Sequence, residues 1–122
     1  MPRNAMIVIG ESGSGKTRRA IEEARKRGGV YLSTSWDEIK TPFGLGRVLK
    51  FHPKTVIVEG LSVSGKDINL LKHLASGDNV LIELKYEDPR MVPAPYFIFT
   101  MLTPPKTVFS PSPWRRFDVV EV

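Results

Sequence analysis

Eight residues near the N-terminus have the types and spacing to hold a phosphate chain. Gly10, Glu11, Ser12, Gly13, Ser14, Gly15, Lys16 and Thr17 satisfy G-x-x-x-x-G-K-[ST], the P-loop or Walker A pattern. Glycines let successive backbone N–H groups point into one anion-binding hollow, and a helix starting there adds its positive end. Lys16 is placed to reach β- and γ-phosphates, and the Thr17 hydroxyl to coordinate Mg²⁺. With glycine at its usual frequency, a chance match in a chain of this length has odds of about one in 200. A nucleoside triphosphate, taken as ATP, is therefore the expected ligand.

A second stretch has similar spacing. Gly60, Leu61, Ser62, Val63, Ser64, Gly65, Lys66 and Asp67 read G-x-x-x-x-G-K, but Asp67 stands where a metal-binding hydroxyl should be. It reads as a decoy, with Asp67 capping the helix that follows. A better partner for the first loop is Glu59, an acid that ends the apolar run Thr55, Val56, Ile57, Val58. A carboxylate there can hold Mg²⁺, because open α/β sheets bind ligands at the carboxyl edge of their strands. A solvated strand-end acid is the bland alternative.

The loop needs a strand before it and a helix after it. Residues 5–9 are a continuous apolar run, read as a buried parallel strand. Residues 16–27 read as a helix with an Ala20, Ile21, Ala24 stripe, i,i+4 pairs Glu22–Lys26 and Glu23–Arg27, and Gly28 as its stop. Further strands are expected at 30–32, 55–59, 80–84, 96–102 and 117–122, with a helix over 64–75 opened by a Ser64/Asp67 capping box. Pro42, Gly44 and Gly46 break the pattern over 35–49 into short helical pieces and a loop. Strands alternating with helices imply an α/β, three-layer P-loop NTPase fold with a mainly parallel sheet of about five strands. One domain over 1–122 is expected from the length.

Composition narrows the chemistry. The chain lacks Cys, which excludes disulfides, thiolate metal sites and cysteine nucleophiles. His52 and His73 are isolated and read as surface or edge residues. No apolar run approaches the ~18 residues of a membrane span, so no membrane partner and a soluble cytoplasmic setting are expected. The net charge of +5 resides in the first 50 residues, with 10 basic and 5 acidic side chains against 8 and 8 in the remainder. Phosphate is the natural partner for such a half, although a solvated helix face gives the same count. Arg18 and Arg19 could face a neighbour or DNA. Trp36, Tyr86 and Trp114 could stack on bases, with core or interface packing the more ordinary use.

Past Glu59, the order of features is more specific. A helix with Leu70-Leu71 precedes the extended run Val80 to Lys85, then Pro95-Tyr96-Phe97-Ile98-Phe99-Thr100, Pro104-Pro105 and Trp114-Arg115-Arg116-Phe117. This resembles the ATPase core of superfamily 3 helicases, which are similar in fold to AAA+ proteins. The resemblance implies a replication-type ATPase. It carries Lys16 and Thr17 to the phosphate and Mg²⁺ groups, Glu59 to the second motif and Thr100 to the third. It also implies single-stranded DNA contacts through Lys85 or Arg90 on a hairpin. Arg115 or Arg116 would reach a neighbour's γ-phosphate in a homo-oligomeric ring or with a partner protein. The departures are Gly60 where the family has a second acid, and Leu102 followed by Thr103 where it has Asn; they imply slow hydrolysis. The family's frequent preceding nuclease domain is expected to be missing, since the loop strand begins at residue 5. Two other readings stay open: a small nucleotide or nucleoside kinase with 41–50 in its lid, and a slowly hydrolysing NTP-binding switch.

Overall fold

A computed structural model describes residues 5–62, 67–102 and 117–122. The elements run β1 (Ala5–Ile9), α1 (Lys16–Arg27), β2 (Tyr31–Ser35), α2 (Trp36–Ile39), α3 (Pro42–Leu49), β3 (Thr55–Glu59), α4 (Ile68–Ser76), β4 (Val80–Ile82), β5 (Arg90–Val92), β6 (Tyr96–Met101) and β7 (Phe117–Glu121). Five strands form one parallel sheet in the order β2-β3-β6-β1-β7. This is the expected P-loop NTPase-like α/β class.

Strand alternation explains the layers. Met6 and Val8 point to one face and pack with Ala20 and Ala24 of α1, Ile57 and Ile98. Ala5, Ile7 and Ile9 point to the other, where Trp36, Ile39, Leu71, Leu74, Phe97 and Phe99 form the larger core. Every strand therefore has apolar residues on both faces, which is why β1 and β3 read as unbroken apolar runs. Because the sheet is parallel, Ile9, Ser35, Glu59, Met101 and Glu121 all end at one edge.

Several expectations need correction. The glycines of 35–49 do not open a loop: α3 continues through Gly44 and Gly46, capped by the Thr41 hydroxyl accepting from Gly44 N–H at 3.1 Å. A Cβ on Gly44 would run into the Glu38 carbonyl, and one on Gly46 into the Glu83 carbonyl. These glycines allow close packing, and Pro42–Leu49 is a helix packed by buried Leu45, Val48 and Leu49. Helix α4 is described from Ile68, with Asp67 as its N-cap, which makes no side-chain cap bond. Ser64 lies outside the described residues. Asp67 instead accepts from the Trp36 indole at 3.5 Å and pairs with Lys40 at 3.4 Å. Burial opposes the charge on Lys40, but Asp37 and Asp67 hold its pKa above the usual value.

The strand expected at 80–84 is outside the main sheet. β4 pairs antiparallel with β5, a strand the sequence reading missed, to make a separate hairpin. β2 starts at Tyr31 and extends to Ser35, beyond the expected 30–32. On α1, Glu23 pairs with Arg19 at 3.0 Å and Lys26 at 3.4 Å, while Arg27 lies over the Tyr96 ring at 3.1 Å. Burial pushes the Glu23 carboxyl up, but these two cations hold it below the usual range. Trp36 is a core residue, edge-on to Phe99 at 6.0 Å. His52 and His73 are exposed. Among the described residues, no helix is long and apolar enough to cross a membrane.

Candidate functional site

The loop between β1 and α1 turns on Gly13 and Gly15, whose φ values are +82° and +95°. Side chains rarely adopt that conformation, so glycine is required at both positions. Gly10 is needed for space: a Cβ there would collide with the Ser14 hydroxyl and approach Val122. Gly15 is the N-cap of α1, no side chain caps the helix, and its first turn carries no acid. The positive end of a three-turn helix thus faces the loop hollow without a protein anion. Lys16 folds back over the loop, donating from Nζ to the Gly10 carbonyl at 2.8 Å and the Glu11 carbonyl at 2.9 Å.

Sheet order brings the second half of the site to this loop. β3 and β1 are separated by β6, which pairs with both. From the first turn of α1, Thr17 Oγ1 donates to Glu59 Oε1 at 2.7 Å, joining residues 42 apart in sequence. Thr100, on β6 between them, is 5 % exposed, and its Oγ1 accepts from Gly60 N–H at 3.2 Å. Two further backbone bonds pin the edge, Leu61 N–H to the Thr100 carbonyl at 2.9 Å and Gly10 N–H to the Met101 carbonyl at 3.2 Å.

Beside the Thr17–Glu59 bond lies a cleft of about 540 Å³. One wall is Ser12, Gly13, Lys16 and Thr17; the other is Gly60, Leu61 and Ser62, with Thr100, Met101 and Leu102 at the sheet edge. A second hollow of about 410 Å³ lies across the loop, lined by Glu11, Ser14, Glu121 and Val122, and shares Leu102. Sequence reasoning missed Gly60, Leu61 and Ser62 as the far wall. The available signal was a glycine directly after an acid-ended strand: Gly60 has φ +73°, so it is suited to turn the chain across the cleft.

The chemistry of these donors fits a phosphate–Mg²⁺ pair. Thr17 and Glu59 present hard oxygen donors one hydrogen bond apart, the type Mg²⁺ takes when phosphates and water supply its other ligands. Among the described residues, no group of three or more His, Cys, Asp or Glu could hold a metal by itself.

The remaining candidates lie apart. Lys85 is in the β4–β5 connection and Arg90 begins β5, 3.6 Å from Glu87. Between them Tyr86 is 93 % exposed, with Lys85 Nζ 5.1 Å from its ring centre. Arg19 is engaged by Glu23, and Arg18 is exposed. Arg115, Arg116, Trp114, Thr103 and Lys66 lie outside the described residues.

Comparison with solved structures finds the same architecture. Two apo structures of the NrS-1 C-terminal region superpose with TM-scores of 0.60 and 0.62, at 21 % and 19 % identity, over 96 % and 97 % of this chain. JCV helicase superposes with a TM-score of 0.57 at 21 % identity over 98 % of the chain. The likeness is one of fold. The chain spans about a third or less of each of these proteins, 28 %, 29 % and 35 % of their lengths. No family model and no curated protein matches the sequence.

Proposed function

We propose that this chain is an ATP- and Mg²⁺-binding P-loop NTPase, a single domain over 1–122 similar to the core of superfamily 3 or AAA+-like ATPases and acting in DNA replication or remodelling. The observation that carries the reading is the Thr17–Glu59 hydrogen bond of 2.7 Å, which joins a P-loop hydroxyl to a strand-end acid. The fold likeness to JCV helicase supports a helicase-type ATPase.

In this reading the loop from Gly10 to Lys16 cradles the phosphates with its amides and the Lys16 ammonium. Lys16 would exchange its two carbonyl partners for phosphate oxygens, a stronger charge-assisted pairing. Thr17 and Glu59 would hold Mg²⁺, which when bound neutralises charge on the phosphate oxygens. Thr100 accepts from Gly60, and its own hydroxyl hydrogen remains to position a phosphate oxygen or an attacking water. Lys85 and Arg90 on the hairpin would contact single-stranded DNA. Arg115 or Arg116 would reach the site of a neighbouring copy or partner protein.

One observation favours a second reading, a slowly hydrolysing switch. Gly60 holds φ +73° where a second acid would serve as base, and Leu102 is 63 % exposed at the cleft where an amide would orient water. Phosphate release from ATP and Mg²⁺, with and without single-stranded DNA, tests both beside Lys16→Ala. DNA-stimulated release that the variant loses is expected. Tight nucleotide binding with negligible release in either condition overturns the ATPase and leaves the switch; phosphate transfer to a nucleoside would identify a kinase.

A further inference from the structure

The basic excess of the first 50 residues is divided between the two ends of the sheet. Lys16, Arg18 and Arg19 belong to the P-loop end, but Arg25, Lys26 and Arg27 form the last turn of α1 at the opposite edge. Five-residue strands put the two ends about 16 Å apart. At that far edge the chain also places Lys50 and Lys54. Lys54 N–H donates to the Val30 carbonyl at 2.8 Å, and its side chain lies 3.2 Å from where a Cβ on Gly29 would sit, just past α1. Tyr96 N–H donates to the Lys54 carbonyl at 3.0 Å, and Arg27 covers the Tyr96 ring. These contacts join the end of α1 to the starts of β2, β3 and β6 in one surface.

The acids nearby are fewer than the cations: exposed Glu22 and half-buried Glu23 lie one turn earlier on α1, and Asp118 lies beside Tyr96. Glu23 pairs with Lys26, and Asp118 accepts from the Tyr96 hydroxyl at 3.4 Å; among the described residues, no ion pair joins Arg25, Lys50 or Lys54 to a carboxylate. Two apolar side chains are exposed at this edge: Val30, at 59 %, whose carbonyl accepts from Lys54 N–H, and Phe51, at 62 %, three residues before Lys54 in the turn after α3, with Lys50 Nζ 5.0 Å from its ring centre. The turn carrying Phe51 is sharp, with His52 at φ +52°. Helix-end electrostatics accounts for bases on the last turn of α1. It does not account for Lys54 or for an aromatic ring left uncovered among the cations.

We propose that this face is a nucleotide-independent binding surface for single-stranded nucleic acid. Arg25, Lys50 and Lys54 would neutralise backbone phosphates, and Phe51 would offer a ring on which a base stacks, the combination that binds single strands with little sequence preference. The surface is separate from the P-loop cleft and from the β4–β5 hairpin.

The test is fluorescence anisotropy of the whole chain with a labelled oligo(dT) and no nucleotide, over a range of salt. Affinity is expected to fall with salt with a log–log slope of about −3, the value for four or five released counterions. Arg25→Glu/Lys50→Glu/Lys54→Glu should weaken binding at least about tenfold and flatten the slope by about 2. Phe51→Ala should weaken it about fivefold or more and leave the slope unchanged. Unaltered far-ultraviolet circular dichroism and ATP affinity in the variants would show that the fold and the cleft persist, and Arg25→Gln/Lys50→Gln/Lys54→Gln gives the same test without charge reversal. Oligo(dT) affinity unchanged in folded variants, no binding at low salt, or equal affinity for a duplex of the same length would each overturn the proposal.

Discussion

Two stretches of this chain, Gly10 to Thr17 and Gly60 to Asp67, follow strands and share two glycines and a lysine at the same spacing. In the first, the helix begins at the lysine itself, and the next residue, Thr17, turns its hydroxyl to Glu59. In the second, the helix is described from Ile68, and Asp67 turns its carboxylate to Trp36 and Lys40. Leu61, 4 % exposed, anchors the second stretch in the core. Its first three residues, Gly60 to Ser62, form the opposite wall of the cleft that the first stretch opens. The two differ at the residue after the lysine, a hydroxyl bonded to Glu59 in one and a carboxylate paired with Lys40 in the other.

That contrast can be broken most sharply at the two lysines. Lys16→Ala should lower phosphate release at least about 100-fold and abolish tight nucleotide binding, whereas Lys66→Ala should stay within about twofold. Equal losses from both would make the second stretch a phosphate loop as well. Next in size is Glu59→Gln, expected to lower turnover by about 100-fold while ATP affinity, followed by equilibrium titration, changes only a few-fold. A large loss of affinity without loss of maximal rate would remove Glu59 from the metal site.

Gly60→Ala sharpens the comparison through the backbone. No neighbour lies within 4 Å of a Cβ there, so the cost is the left-handed conformation alone, about 1–2 kcal/mol, read as a lower urea midpoint with unchanged m-value. The smallest effect belongs to Asp67→Asn. Its pair with Lys40 is partly exposed, with Lys40 at 36 %, so only a small fall in the thermal midpoint is expected, with nucleotide affinity intact. A fall in nucleotide affinity would instead give Asp67 a direct part in the site.

Local signals were legible where neighbours in sequence are also neighbours in space. Helix α1 has the bounds its stripe and Gly28 imply, and β1 and β3 match their apolar runs. Where distant residues decide, the reading failed. The strand expected over 80–84 forms at Val80–Ile82, with Val80 and Ile82 buried in the core, but it pairs with β5 in a separate hairpin and leaves Leu81 42 % exposed. Gly44 and Gly46 look like helix breakers, yet the approach of the Glu38 and Glu83 carbonyls makes them necessary inside α3.

The sequence by itself determined the phosphate-loop candidate, the helix it opens and the class of fold, because periodicity, glycine placement and helix stops act over a few residues. Only the tertiary structure decided that Glu59 meets Thr17, that Thr100, on the strand between β1 and β3, is tied to Gly60, and that Lys54 lies beside Gly29 at the end of α1. Those outcomes depend on strand order. Strand order is set by the pairing and two-sided burial of segments 40 or more residues apart, and no local pattern records it.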